Sequence, residues 1–96
     1  MSTGRINQIK SVLSSIIKAY GLEKKIKEIS VLTSWEEIVG ENISRFAKAT
    51  RIKKGVLIVS VENSTWRNEL SFMKSQIIDK INKHLNEEIV KDIIFR

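Results

Sequence analysis

The run from Gly55 to Leu70 (GVLIVSVENSTWRNEL) changes its hydrophobic period midway, and that change constrains the whole chain. Leu57, Val59 and Val61 recur every second residue, the spacing of side chains on one face of a strand. From Trp66 the period becomes helical, with Leu70, Met73, Ile77 and Ile81 following. Asn63, Ser64 and Thr65 lie at the switch, and short polar side chains of this kind bond the free N–H groups of a helix start. A strand feeding straight into a long amphipathic helix folds that helix back over its own sheet. The other elements must pack against this unit.

Upstream, Ser2 and Thr3 are placed to cap a first helix carrying Ile6, Ile9, Leu13, Ile16, Ile17 and Tyr20 on one face, with Gly21 as its terminator. In the next segment Leu22, Ile26 and Ile29 point one way, while Trp35, Val39, Ile43 and Phe46 share a direction rotated by roughly 120°. One straight helix cannot bury both stripes against one sheet, so the spacing predicts a break near residues 31–33. Ser34 and Glu37 match a capping box there. Gly40 inside the second piece is expected to mark close approach of another backbone. Residues 49–54 and 56–62 read as a hairpin turning at Lys53-Lys54-Gly55, with Ile52 joining Leu57, Val59 and Val61 on the buried face. A helix over 65–85 and a strand over 89–96 complete the chain.

The predicted order is α-α-α-β-β-α-β: an α+β domain with a three-stranded sheet and helices packed on one face. The last strand fits either beside 56–62, parallel, or beside 49–54, antiparallel, and the sequence alone leaves both open. Ninety-six residues suit one domain spanning 1–96, and 42% hydrophobic content suits a packed interior. The longest apolar stretch here, Val56 to Val59, is too short for a transmembrane helix, and a cytoplasmic location is expected.

Nothing in the motifs points to an enzyme, a cofactor, a metal or a small-molecule substrate. The single histidine, His84, reads as packed at a helix C-terminus, and Gly4, Gly21, Gly40 and Gly55 form no phosphate loop. Trp35 and Trp66 lie on apolar stripes and read as core. Phe72 lies off its helix's stripe, which fits packing beneath the first helix or a contact surface for another protein.

The net charge is +6, and residues 1–30 hold six basic against two acidic side chains. Lys48, Arg51, Lys53 and Lys54 place four positive charges within seven residues, with no acid among them. That arrangement suits phosphate contacts, and it equally suits solubility. Lys24, Lys25 and Lys27 form a second such cluster. Arg67 projects away from the buried stripe and joins the candidate nucleic-acid contacts.

The segment Trp35-Glu36-Glu37-Ile38-Val39-Gly40-Glu41-Asn42-Ile43 resembles one half of the pattern of the DciA-like family. Gly55 to Val61, followed by Ser64 to Phe72, resembles the other half; Ile81-Asn82 and Ile93 to Arg96 continue it. The resemblance covers most of residues 30–96. It implies a KH-like fold and a role in bacterial DNA replication: association with the DnaB-type replicative helicase, help in its loading, and weak binding of single-stranded or fork DNA. Many relatives carry a basic C-terminal tail, whereas this chain stops at Arg96, so DNA contact is expected through the folded domain. The Gly-x-x-Gly loop of nucleotide-clamping KH domains is absent, which argues against sequence-specific RNA reading. Two other functions fit the same residues: a pure protein-interaction module, and a KH-like RNA-binding protein.

Overall fold

A computed structural model describes residues 2–96, with side chains from Gly4 onward. The side-chain cap expected at Ser2 and Thr3 falls outside the described residues. The described elements are α1 (Ser2–Ala19), α2 (Glu23–Thr33), α3 (Trp35–Val39), α4 (Glu41–Phe46), β1 (Ala47–Lys53), β2 (Val56–Val61), α5 (Ser64–Phe72), α6 (Lys74–Leu85) and β3 (Asp92–Phe95). The fold is α+β and KH-like, with a three-stranded mixed sheet against which helices pack.

The period switch after β2 is built as its residues dictate. The Asn63 side chain accepts a hydrogen bond from the Trp66 N–H at 2.9 Å and caps α5. Leu57, Val59 and Val61 face Leu70, Ile77 and Ile81 within one buried cluster that also holds Val31, Trp35, Val39, Ala47, Val90 and Ile93. Trp35 is buried, and its indole N–H donates to the Ala47 carbonyl at 2.8 Å. Trp66 is half-buried and stacks on Phe46, ring centroids 4.9 Å apart.

β2 is the central strand. β1 pairs with it antiparallel through a two-residue turn, Lys54-Gly55, closed by the Lys53–Val56 pair. Both turn residues have positive φ, 52° at Lys54 and 83° at Gly55, as a type I′ hairpin requires. A β-bulge leaves Thr50 without a partner in the ladder, and its hydroxyl donates to the Ile58 carbonyl at 3.1 Å. Ala47, Ala49 and Ile52 consequently face the helices, while Lys48, Thr50, Arg51 and Lys53 are exposed.

β3 lies beside β2, parallel to it, which resolves the open choice. The Gly55 carbonyl accepts from the Lys91 and Asp92 N–H groups at 2.7 and 3.3 Å and starts that pairing. Just upstream, the Asn82 side chain accepts from the Ile89 and Val90 N–H groups and donates to the Val90 carbonyl. Ile89 and Val90 are buried there, so the strand expected from 89 begins only at Asp92.

Several expectations are corrected. The helix after Ser34 divides at Gly40, whose φ is 92°; no neighbouring atom lies within 4 Å of where a Cβ would sit, so backbone conformation and not close approach explains the glycine. Ser34 makes no side-chain cap hydrogen bond, and the chain passes from α2 to α3 with the Ser34 N–H still bonded to the Ser30 carbonyl. The helix expected over 65–85 divides at Met73. Leu22, Ile26 and Ile29 are exposed, because α2 meets the sheet through Val31 and Leu32 instead. His84 is exposed in the last turn of α6, beyond the buried Ile77 and Ile81, and does not pack there.

The largest departure is α1, which does not join the packed layer. It extends from the body, giving the molecule principal dimensions of 53 × 27 × 19 Å. Its apolar face remains exposed from Ile6 to Tyr20. Phe72 is 79% exposed, so it does not pack beneath α1.

Candidate nucleic-acid interface

The α2–β1 packing brings two basic clusters of the sequence together. A groove of about 500 Å³ runs between them, lined by Lys24, Lys25, Glu28, Ile29, Leu32, Arg51, Ile52, Lys53 and Lys54. Each wall has a local cause. The bulge at Thr50 turns Arg51 outward in place of an apolar residue, and the tight turn projects Lys53 and Lys54 at the hairpin tip. Val31 anchors α2 in the core, which leaves Lys24 and Lys25 on its outer turns.

Five cations line this groove with one carboxylate, Glu28. The Glu28 carboxylate accepts from the Gly55 N–H at 3.4 Å, so it also fixes the hairpin tip against α2. Lys27, the third lysine of the α2 cluster, is drawn away and pairs with Glu87 at 2.7 Å. None of the five cations takes part in a salt bridge among the described residues. Open to solvent and lined by five cations, the groove suits a flexible polyanion better than an enclosed small molecule.

The other expected contacts lie apart from it. Lys48 is exposed on β1, opposite Ser60, and does not line the groove. Arg67 lines a different cleft, with Ser64, Asn68, Ser71, Lys74, Ile94 and Phe95, between α5 and β3. In that cleft Lys74 pairs with Asp92 at 3.2 Å. The Ile93 N–H and then the Lys74 ammonium hold the Asp92 carboxyl below the usual carboxylate range. Phe72 follows Ser71 at the end of α5 and projects into solvent.

Among the described residues no group of His, Cys, Asp and Glu side chains is placed to hold a metal ion, and no helix is long and apolar enough to cross a membrane.

Helices against a three-stranded sheet, and a groove lined by basic side chains at its β1 edge, define a small KH-like module. The family model described as "Dna[CI] antecedent, DciA" matches residues 8–95, and the chain belongs to the DciA family. It is 35% identical over 83 residues to a UPF0232 protein of Rhodococcus jostii, covering 86% of this chain and 44% of that protein. A UPF0232 protein of Mycolicibacterium smegmatis is 30% identical over 80 residues, covering 83% and 41% respectively. One from Mycobacterium tuberculosis is 30% identical over 78 residues, covering 81% and 42%. The chain therefore spans less than half the length of these relatives. The family is one of replication accessory proteins from bacteria.

Proposed function

We propose that residues 1–96 act as one KH-like DciA-type domain that binds the DnaB-type replicative helicase, assists its loading in the cytoplasm, and holds single-stranded or fork DNA weakly without reading its sequence. Membership of the DciA family supports the helicase-related role. The convergence of Lys24 and Lys25 with Arg51, Lys53 and Lys54 in one groove carries the DNA reading. Lys48 and Arg67 supply outlying phosphate contacts as a strand leaves the groove. No enzymatic step is involved: loading is a matter of holding helicase and strand together.

Cations at this spacing engage phosphates, so affinity follows counterion release and falls with salt. The double substitution Lys53→Ala, Lys54→Ala is expected to weaken binding of a labelled single-stranded oligonucleotide and to lower the log–log salt slope by roughly 1.4, at about 0.7 per lost contact on single strands. An unchanged slope removes the hairpin from the interface. Co-purification with the helicase tests the other half of the proposal.

A specific observation favours a second reading, in which the chain is purely a protein-interaction module: Phe72 is 79% exposed. Absence of oligonucleotide binding even at low salt selects that reading. A preference for RNA that survives competition by single-stranded DNA selects the RNA-binding alternative.

A further inference from the structure

Outside the groove, the feature without a role is α1. Ile6, Ile9, Leu13, Ile16 and Tyr20 follow one another at alternating spacings of three and four residues, the repeat of a helix–helix seam. They are 48%, 60%, 53%, 45% and 76% exposed, although α1 is long enough to fold back onto its own domain. Val12, Ile17 and Ala19 flank the seam. The outer stripe of α2, Leu22, Ile26 and Ile29, continues the exposed apolar surface beyond Gly21. Together these side chains present an area on the order of the roughly 800 Å² per partner that a stable interface takes.

We infer that the occupant of this face is a second copy of the same chain, with the two α1 helices packed antiparallel about a two-fold axis. The charges select the direction. The seam's flanking positions hold Arg5 and Lys10, and α1 has no acidic residue. In a parallel pair, Arg5 of each helix lies beside Lys10 of the other, a repulsion repeated on both sides. In an antiparallel pair with Leu13 facing Ile16 of the second copy and Ile9 facing its Tyr20, Lys10 flanks Ile17 and Val12 flanks Ala19. Within the paired α1 helices no like charges meet, and the helix dipoles oppose one another favourably. Ile6 then reaches past the second copy's Tyr20 toward its Leu22, joining the two stripes.

A lipid surface fits this helix less well. Helices that lie in membrane interfaces carry a strongly cationic polar face, whereas the polar side of α1 holds a single cation, Lys18, among Asn7, Ser11, Ser14 and Ser15. The pairing is independent of the nucleic-acid groove, since none of these residues except Ile29 lines it.

Sedimentation of the 96-residue chain over a concentration series is expected to show a monomer–dimer equilibrium that Leu13→Glu abolishes. The melting transition of the variant should survive, because Leu13 lies outside the core. The chain has no cysteine, so single cysteines report orientation without interference. Under mild oxidation a mixture of Ile9→Cys and Tyr20→Cys chains should cross-link to each other, and neither variant to itself, since 11 residues of helix put like positions roughly 16 Å apart. A wild-type chain that stays monomeric at every concentration overturns the inference. So does self-cross-linking of Ile9→Cys, which indicates a parallel pair, or binding to anionic vesicles by a chain that remains monomeric.

Discussion

Glu28 and Gly55 are joined by a hydrogen bond from the glycine N–H to the carboxylate, at 3.4 Å, which ties the hairpin turn to α2 beside the basic groove. The contact steadies the hairpin tip, and the same carboxylate opposes any anion that enters. Glu28→Gln keeps an acceptor and removes the charge. Oligonucleotide affinity by fluorescence anisotropy is expected to rise, by up to about five-fold if the lost repulsion is worth at most ~1 kcal/mol, as for exposed charge pairs. Weaker binding would assign Glu28 a supporting role in the interface.

Lys54 occupies the first position of a type I′ turn at φ 52°, where asparagine is favoured and lysine is strained. Lys54→Asn should stabilise the fold by about 0.5–1 kcal/mol, raising the urea midpoint, while it weakens oligonucleotide binding. Opposite signs in the two assays would indicate that the lysine is held there for its charge. A variant gaining neither stability nor losing affinity contradicts both arguments.

Asn82 satisfies three backbone groups of the segment entering β3. Asn82→Ala leaves the Ile89 and Val90 N–H groups and the Val90 carbonyl without these partners. A loss of about 2–4 kcal/mol is expected in chemical denaturation, well above that of an average substitution.

Asp92 contributes a pH dependence whose sign follows from its lowered folded-state pKa. Its stabilising contribution is complete above the unfolded carboxylate value of about 4 and is lost as pH falls through the lower folded value. Asp92→Asn should therefore flatten the dependence of the urea midpoint below about pH 4 and leave its shape at neutral pH unchanged. An equally steep acid limb would show that Asp92 does not contribute to it.

Phe72 separates stability from recognition. Phe72→Ala removes a side chain that is 79% exposed, so the melting transition should move by no more than about 0.5 kcal/mol equivalent. Capture of the helicase is expected to fall by about ten-fold or more if this ring is an aromatic anchor of the contact. Full capture would place the helicase-facing surface elsewhere.

The central unit was legible because its chemistry is local. Period-two apolar residues, an asparagine cap and a helical stripe each act within a few positions, and β2, Asn63 and α5 follow from them. The helix break at Met73 left no such trace, since methionine is a good helix former. The side of the sheet taken by β3 depends on Gly55 accepting from Lys91 and Asp92, a contact between distant segments. The groove was half-legible: each basic cluster stood out, but their meeting required α2 to lie along β1. As for α1, an amphipathic stripe looks the same whether its cover is the chain's own sheet or another molecule.

The unpaired Thr50 inverts the parity of β1. Before it, odd-numbered residues face the helices, as Ala47 and Ala49 do; after it, even-numbered Ile52 does. Were Thr50 paired in a regular ladder, the alternation begun at Ala47 would carry Arg51 and Lys53 into the apolar layer and Ile52 out to water. The positive edge of this domain is thus set by a count: one position left out of the pairing determines whether the same side chains become surface charge or buried defect.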